Sequence, residues 1–331
     1  MEIKETIGID VSKLTIDVTI HSTQAYSKFE NEPKGFKSML KWVNKNTNYV
    51  SEEVLYVFEF TGLYSYQLGV FFTNENLSFL TVPGLEIKRS LGITRGKDDR
   101  VDSKVIARYA YRLRDEIQPT KLPSEKLRAL KTLLSLRESK VKQRAGDKAT
   151  LSEYKRVYKR KENKVVFEVL ESSIKKMNQL ILKLDKELLV IINSDSKLKE
   201  QFQLLKSIGG IGNQVALYTI VFTEAFTKFK THRQYASYCG TAPFPNSSGT
   251  SLRGRTKVSN LANKKLKSLL DLGAKSAIQH NTELRLFYHN RVEVGKNKMS
   301  TINVVRNKLI ARMFAVIKRG TPYVETMRYA S

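Results

Sequence analysis

The sequence has little sulfur and little imidazole. It contains one cysteine, Cys239, and four histidines, His21, His232, His280 and His289. A single cysteine excludes an intrachain disulfide and any zinc site built on a cysteine cluster, and no histidines have the His-Glu-x-x-His spacing of a zinc enzyme. If the protein binds a metal ion, its ligands must therefore be oxygen atoms, which favours Mg²⁺ or Mn²⁺.

Long hydrophobic runs are also missing. No apolar stretch is long enough to span a bilayer, and the polar start Met1-Glu2-Ile3-Lys4 does not resemble a cleavable signal peptide. The sequence therefore predicts no membrane partner and a cytoplasmic location.

Negative charge is scarce relative to positive charge. The 331 residues include 58 lysines and arginines against 32 aspartates and glutamates, which gives a formal net charge of +26. The cations are spread along the chain and form a field that attracts polyanions, of which nucleic acid is the commonest. At about 150 residues per domain, this length allows about two domains with substantial cores.

The N-terminal part has a regular order of predicted elements. Apolar and polar alternation and short apolar runs predict strands, and helical spacing predicts helices. The predicted strands are two within 6–20 and one each at 25–30, 54–60 and 77–82. The predicted helices are at 35–43, at 64–72 and from Val101 onward. This βββαβαβα order is typical of an RNase H-like (RuvC-like) fold.

Four acids stand at particular points of that order. Asp10 ends the first strand, Glu59 lies in the buried fourth strand, Asp99 falls in the loop before the last helix, and Asp102 falls in its first turn. Taken singly, such aspartates are most simply explained by turn formation or helix capping. Taken together they favour a carboxylate metal site, because a lone buried acid is costly unless it is paired or bound to a metal.

The middle of the chain is helical for a long way. Ser124, which follows Pro123, is predicted to be an N-cap, and an apolar stripe with heptad spacing runs through Phe167, Leu170, Ile174, Met177, Ile181, Leu184, Leu188 and Ile191. The stripe predicts either a coiled-coil seam between protomers or one helix of an intramolecular hairpin. Between the helical stretches lies a basic run for which we predict phosphate contacts, through Lys155, Arg156, Lys159 and Arg160.

A glycine-rich turn separates two helical patterns at 205–216. It resembles the hairpin of helix-hairpin-helix modules, whose backbone N–H groups bind DNA phosphates without reading sequence. On this interpretation Gly210 and Gly212 contact nucleic acid. A purely structural turn between helices explains the glycines as well, and the turn lacks the lysine of a nucleotide-binding P-loop.

The segment 243–255 has the composition of a loop, with hydroxyls beside cations. It contains Ser248, Arg253 and Arg255. Helical stretches at 261–277 and 301–318 follow, with apolar faces and basic flanks that suit packing on one side and phosphate binding on the other.

The assembled motifs resemble one family over nearly the whole chain. The motifs are Ile7-Gly8-Ile9-Asp10, Phe58-Glu59-Phe60-Thr61-Gly62, Lys97-Asp98-Asp99-Arg100-Val101-Asp102, Ser207-Ile208-Gly209-Gly210-Ile211-Gly212 and Ser248-Gly249-Thr250-Ser251-Leu252-Arg253-Gly254. The sequence is similar to the DEDD transposases of insertion sequences related to the Piv DNA invertase. That family comprises serine recombinases, some of which are guided by a bridge RNA.

The resemblance implies a role for each matched residue. The acidic tetrad that binds metal and takes part in catalysis matches Asp10, Glu59, Asp99 and Asp102. The nucleophilic serine matches Ser248, with Ser247 and Ser251 as alternative alignments. Three positions depart from the family pattern: Asp98 stands where threonine is usual, Gly209 where proline is usual, and Lys267 where arginine is common.

The resemblance also implies a mechanism and partners. Ser248 attacks the scissile phosphate to form a phosphoserine link, Arg253 and Arg255 stabilise the charge on phosphorus, and Mg²⁺ (or Mn²⁺) is held by the acids. The partners are DNA, as element ends and target, and a structured guide RNA. Domains of different protomers build one composite site, so we expect a homo-oligomer, a dimer or a tetramer.

The sequence thus predicts an α/β fold followed by helices. An N-terminal RNase H-like metal-binding domain takes 1–122, a helical coiled-coil linker 123–198, and a mostly helical transposase domain with the serine 199–331. We expect a transposase or recombinase. The alternatives are a site-specific invertase of the Piv type, a RuvC-like nuclease that uses the carboxylates alone, and a basic nucleic-acid scaffold whose acids are caps.

Overall fold

The chain forms two compact units, Met1–Leu122 and Pro123–Ser331. The computed structural model describes residues 2–60, 62–90, 99–248 and 252–325, and for residues 99, 100, 246–248, 252, 253 and 255 it describes the backbone alone. The strands of the first unit are β1 (Glu5–Val11), β2 (Thr15–Ile20), β3 (Tyr26–Glu30), β4 (Val54–Glu59) and β5 (Phe79–Val82). Its helices are α1 (Pro33–Asn46), α2 (Leu63–Asn74), α3 (Gly84–Ser90) and α4 (Asp99–Leu113).

The first unit is built on a five-stranded sheet in the order β3-β2-β1-β4-β5. The strands β1, β2 and β3 form an antiparallel meander, and β4 and β5 run parallel to β1. This mixed α/β arrangement is consistent with the RNase H-like order expected from the sequence. The short helix α3 was not expected, and β5 begins at Phe79 rather than at residue 77.

Side chains of β1 and β4 alternate between two cores. Ile7, Ile9 and Phe58 face one core, which contains Phe36 of α1 and Phe72 of α2. The opposite face contains Leu55 and Val57 of β4, packed with Ile87, Ile106 and Ala110 of α3 and α4. Because successive residues of a strand point to opposite faces, residues 6, 8 and 10 of β1 and residue 59 of β4 lie on the α4 side of the sheet.

The second unit is mostly helical. Its long helices are α5 (Glu125–Val157) and α6 (Lys164–Asn193), followed by α7 (Ser196–Lys206), α8 (Asn213–Phe222) and α9 (His232–Tyr238). A two-stranded sheet follows, formed by β6 (Pro243–Ser248) and β7 (Leu252–Val258). The last helices are α10 (Lys264–His280), α11 (Thr282–Glu293) and α12 (Lys298–Arg319).

The helices α5 and α6 lie antiparallel as a hairpin within one chain. Ser124 caps α5, because its side chain accepts a hydrogen bond from the Leu127 N–H. Side-chain contacts pair the two helices in reverse order: Arg137 Nε donates to Asp185 at 2.6 Å, and the later Arg144 donates to the earlier Asn178 at 2.7 Å. Phe167, Ile181 and Leu188 of the heptad stripe are buried, and Leu188 packs with Leu130 of α5 in one cluster. A coiled-coil seam between protomers stays a prediction.

The base of the hairpin belongs to the core of the second unit. Leu127, Leu134 and Leu188 pack in one cluster with Tyr235 of α9 and Leu309 of α12. The division of this part into a linker, 123–198, and a terminal domain, 199–331, stays a prediction. Within the described ranges, no helix is both long and apolar enough to cross a membrane.

Candidate catalytic groups and nucleic-acid contacts

The parallel pairing of β1 with β4 brings two of the acids side by side. Ile9 is in register with Phe58, so the next residues, Asp10 and Glu59, are neighbours at the carboxyl ends of the two strands. Both are half-buried and lie on the α4 side of the sheet. Glu59 was expected inside a buried strand, but it is the last residue of β4, where the sheet ends and water can reach it.

A glycine allows α4 to approach this face closely. A Cβ on Gly8 would lie 2.1 Å from the Ser103 carbonyl oxygen and 2.3 Å from the Ala107 nitrogen, so only glycine leaves room for the helix backbone. Two hydrogen bonds fix the contact: the Thr6 hydroxyl donates to the Ala107 carbonyl at 2.9 Å, and the Thr19 and Ser103 hydroxyls share a bond of 2.8 Å.

These contacts also set the direction of α4. Ser103 lies over Gly8 and Ala107 lies over Thr6, so the helix runs antiparallel to β1 and its first turn points toward the Asp10 end. Asp102 is half-buried in that turn. The expectation that Asp99 falls in a loop was wrong, because α4 begins at Asp99 and its backbone is already helical. The Asp99 side chain lies outside the described side chains.

The Glu59 carboxylate is packed against a second glycine. A Cβ on Gly84, at the start of α3, would lie 2.0 Å from Glu59 Oε1. The close packing at Gly8 and Gly84 was not predicted from the sequence. A glycine inside a strand pattern is a signal of close backbone approach, and Gly8 in Ile7-Gly8-Ile9-Asp10 carried that signal.

Asp17 is a further acid on the same face, since it is paired with Asp10 across β1 and β2. It was not expected. Its side chain is buried, accepts a hydrogen bond from the Tyr26 hydroxyl, and lies 3.4 Å from Lys28 Nζ. These two partners satisfy the carboxylate, so Asp17 is explained by its structural contacts.

The donor set at this edge of the sheet suits a hard divalent cation, because every side chain in it is a carboxylate. Among the side chains that the structure describes, no three histidine, cysteine, aspartate or glutamate residues come together closely enough to hold a metal ion. Asp10 and Glu59 nevertheless lie side by side on neighbouring strands, and the first turn of α4, which carries Asp102, points toward that end of β1. The metal site with Asp99 as fourth ligand therefore stays a proposal.

The segment that carries Ser248 is a β-hairpin, and its expected loop character was wrong. Asn246, Ser247 and Ser248 are paired with Gly254, Arg253 and Leu252 in an antiparallel ladder. Hydroxyls beside cations indicated a loop, but the two arms pair as strands, with an irregularity in the ladder between Phe244 and Asn246. Ser248 is the last residue of β6. The structure does not describe the side chains of Ser248, Arg253 and Arg255, and Ser251 lies outside the described residues.

The base of that hairpin is anchored by a polar network. The Asn303 and Asn307 amides of α12 each donate to the Thr241 carbonyl oxygen at 2.9 Å. Thr241 is buried, and its hydroxyl donates to Asn307 Oδ1 at 3.1 Å. Farther out, none of the hairpin side chains that the structure describes is buried.

Other potential nucleophiles of the second unit are protected by burial. Burial raises the pKa of the Cys239 thiol to about 12, and it raises the pKa of the Tyr218 hydroxyl to about 12. Burial also raises the pKa of Tyr235, which is fully buried, well above its ordinary value. Because the reactive form of each group is the anion, these shifts disfavour all three as nucleophiles.

Gly210 in the glycine-rich turn has a packing role. Its φ is +92°, and a Cβ there would lie 2.5 Å from the Gly273 carbonyl oxygen and 2.6 Å from Ala277 Cβ of α10. Gly212 has no atom within 4 Å of the corresponding position and precedes α8 as its N-cap. The structure thus supports the structural explanation for Gly210, and phosphate contacts from either glycine stay a prediction.

The basic run lies at the far end of the α5–α6 hairpin, where Lys155, Arg156 and Lys159 are exposed. Arg160 is engaged by an acid, because its guanidinium donates to both carboxylate oxygens of Glu171 at 2.9 and 2.7 Å. That contact raises the pKa of Arg160 and lowers the pKa of Glu171. Contacts of these cations with nucleic acid stay a prediction.

Comparison with known proteins gives two family matches. Residues 7–154 match a family described as Transposase, of the DEDD type found in IS110 elements. Residues 202–289 match the family described as Transposase IS116/IS110/IS902. The first match spans all four acids, and the second includes Ser248.

Individual relatives agree with the family matches. The chain is 27% identical over 328 residues to the pilin gene-inverting protein of Moraxella bovis. This match covers 97% of the chain and 98% of the relative. The same protein from Moraxella lacunata gives the same identity and coverage. An uncharacterized protein of insertion element IS110 from Streptomyces coelicolor is 30% identical over 124 residues, 38% of this chain and 30% of that protein.

Proposed function

Since this chain belongs to the IS110 transposase family and is a DNA transposase or recombinase, we propose that it cleaves and exchanges DNA strands through a phosphoserine intermediate. The nucleophile in this proposal is Ser248. Its metal ligands are Asp10, Glu59, Asp99 and Asp102, and its cofactor is Mg²⁺ or Mn²⁺.

One observation carries the metal part of the proposal. Asp10 and Glu59 are register neighbours on the sheet face that α4 covers, and the first turn of α4 brings Asp102 toward the same edge. Two carboxylates at adjacent strand ends repel each other unless a cation or a proton lies between them. A divalent metal bound there would neutralise charge on the scissile phosphate and orient it for displacement.

The serine step is a transfer of the phosphoryl group. The Ser248 hydroxyl loses its proton and attacks phosphorus, the Oγ–P bond forms, and the bond from phosphorus to the leaving deoxyribose oxygen breaks. The leaving oxygen takes up a proton. Because the phosphodiester energy is kept in the serine ester, a second strand end can displace Ser248 and reseal the DNA without ATP. Arg253 and Arg255, opposite β6 on β7, are proposed to stabilise the charge on phosphorus.

The test of the metal part is cleavage of DNA containing an element end. We expect Asp10→Asn to lower the cleavage rate by roughly 10²-fold or more while the protein stays folded, since one charged ligand of the metal is removed. Chelation of divalent ions should have the same effect on the wild type. Folding is checked by thermal melting, and Asp10→Asn is expected to melt no lower than the wild type because a repulsion is relieved. A chelated enzyme that cuts at the normal rate would contradict the proposal.

Site-specific inversion is a second candidate activity. It is favoured by one observation, the match along nearly the whole chain to two proteins named for pilin gene inversion. A plasmid with two copies of the recognised site distinguishes the activities: inversion exchanges strands between inverted sites, whereas transposition moves the intervening element to a new place.

We further propose a structured guide RNA as partner, on the basis of the net charge of +26. The test is purification of the protein from its host with and without ribonuclease. A discrete copurifying RNA that is needed for cleavage supports the partner, and unchanged cleavage after its removal contradicts it.

A further inference from the structure

Exposed apolar side chains follow β1 and β4 at the end of the sheet where Asp10 and Glu59 lie. Leu14 is 74% exposed, Phe60 56%, Leu63 81% and Tyr64 44%. Leu14 lies in the turn after β1, Phe60 follows β4, and Leu63 and Tyr64 begin α2, so all four lie at the carboxyl ends of β1 and β4. We call these four residues the edge platform.

Hydrogen bonds hold two parts of the edge platform side by side. The Asn31 N–H donates to the Leu14 carbonyl oxygen at 2.8 Å. The Asn31 side-chain amide donates to the Ser12 carbonyl oxygen at 2.8 Å and to the Tyr64 carbonyl oxygen at 3.0 Å. One asparagine therefore ties the β1–β2 turn to the start of α2.

Phe60 is fixed at the same edge by the sheet. Its N–H donates to the Val82 carbonyl oxygen at 3.1 Å, which extends the ladder between β4 and β5 by one residue beyond Glu59. Phe60 thus directly follows the half-buried Glu59, and its backbone is in register with β5, the strand that leads to Gly84.

This placement is unusual for apolar side chains. The large apolar residues within β1 and β4 are buried in the two cores, and single exposed apolar residues are normal on any surface. Four of them at one edge, two of them aromatic, are typical of an interaction surface. The acids at the same end of the sheet repel a nucleic-acid backbone except where a cation intervenes, so the platform suits the uncharged part of a nucleic acid.

We propose that the edge platform stacks on unpaired nucleobases that flank the cleaved phosphate. The proposal rests on cleavage at the acid edge, as proposed above. Aromatic rings stack on base faces with little regard to sequence, and only unpaired bases offer those faces, because a duplex covers them. Strand exchange passes through unpaired bases on each side of the cut. The platform would hold them while the serine ester exists.

The test uses the full-length protein with chelator, so that nothing is cleaved. The probe is a single-stranded oligonucleotide of about a dozen nucleotides with one 2-aminopurine, a length within the site sizes of single-strand binders. We expect Phe60→Leu with Tyr64→Leu to raise the Kd for this probe roughly five- to tenfold, since the two rings can no longer stack on bases while apolar area is kept. The fluorescence quenching of 2-aminopurine should fall in parallel, and the Kd for duplex of the same sequence should not change.

The matched control is Tyr49→Leu. Tyr49 is 38% exposed and precedes the amino end of β4, at the opposite edge of the sheet. Its replacement should leave the probe affinity unchanged, and equal effects of the two substitutions would overturn the proposal. A platform variant that keeps the quenching but changes the sedimentation of the protein would assign the platform to a protein partner and also overturn it.

A second variant separates this proposal from the cleavage proposal. Asp10→Asn should abolish cleavage and keep the 2-aminopurine quenching, because stacking needs no metal. If the wild-type protein quenches 2-aminopurine fluorescence but does not cleave DNA, the result supports the platform and contradicts the metal site. Normal metal-dependent cleavage with no quenching contradicts the platform alone.

Discussion

The two units hold their candidate catalytic residues in different ways. In the first unit, the acids Asp10 and Glu59 lie near the carboxyl ends of strands that are buried on both faces, and a helix lies on the backbone of Gly8. In the second unit, Ser248 ends one arm of a two-stranded hairpin whose described side chains are all at least partly exposed. A two-stranded hairpin has little stability of its own and depends on its anchor, here the bonds to Thr241.

This difference separates stability from activity. Substitutions at Gly8 should alter folding and cleavage together, because the packing of α4 on this glycine both stabilises the unit and positions the first turn of α4. Changes along the hairpin should alter the chemistry with little effect on folding, since its side chains contribute little to the buried core.

The largest effect is expected from Gly8→Ala. The added methyl would meet backbone atoms of α4, which cannot move without displacing the helix. We expect the free energy of unfolding to fall by about 3 kcal/mol or more, at or above the usual range for overpacking, and cleavage to disappear. Thermal or urea unfolding measures the change in the free energy of unfolding.

The control for Gly8→Ala is Gly146→Ala in the middle of α5, where no atom lies within 4 Å of the added carbon. It should be neutral or stabilise by up to about 1 kcal/mol, because alanine is the better helix former. If both substitutions behaved alike, close packing at Gly8 would not be what holds α4.

A smaller and more selective effect is expected from Gly84→Ala. Its methyl would meet the end of the Glu59 side chain, which can turn away, so the fold should survive. A displacement of about 1 Å in a catalytic group can lower the rate by up to about 10²-fold. We expect cleavage to be roughly ten- to hundredfold slower, the Mg²⁺ requirement to be higher and the DNA affinity to be unchanged.

A double substitution tests whether Gly84→Ala slows cleavage by displacing the Glu59 carboxylate. In a Glu59→Gln background, Gly84→Ala should have almost no further effect on cleavage, because the carboxylate that it displaces is already inactive. Additive rate reductions would show that Gly84 acts elsewhere.

The smallest effect is expected at the end of the α5–α6 hairpin. Replacing Lys155 and Arg156 by glutamine should weaken DNA binding a few-fold and reduce the salt slope by about 0.9 for each duplex phosphate that is no longer neutralised. Arg160→Gln should do less, because Glu171 already binds that guanidinium. Fluorescence anisotropy at several salt concentrations measures both. A greater reduction in affinity from Arg160→Gln would reverse this ranking.

The parts of the structure that followed from the sequence are those with a clear period. Alternation in β1 and the apolar run of β4 predicted the sheet, and the cap at Ser124 predicted the start of α5. Register and close approach were not predictable in this way, because the packing of α4 on Gly8 depends on residues about a hundred positions apart. The hairpin was mistaken for a loop, since glycine, serine and proline dominate its composition and its arms do not alternate clearly between apolar and polar residues.

A covalent link between Ser248 and DNA is central to the proposed mechanism. The direct measurement uses a substrate nicked so that religation is impossible, followed by denaturing electrophoresis and peptide mapping of the trapped protein. We predict a DNA adduct at Ser248 with wild-type protein, none with Ser248→Ala, and none with Asp10→Asn, because the phosphate is no longer held. Cleavage that leaves only free ends would identify a nuclease that uses the carboxylates alone. An adduct that persists in Ser248→Ala but is absent in Ser247→Ala or Ser251→Ala would contradict the assignment of the nucleophile.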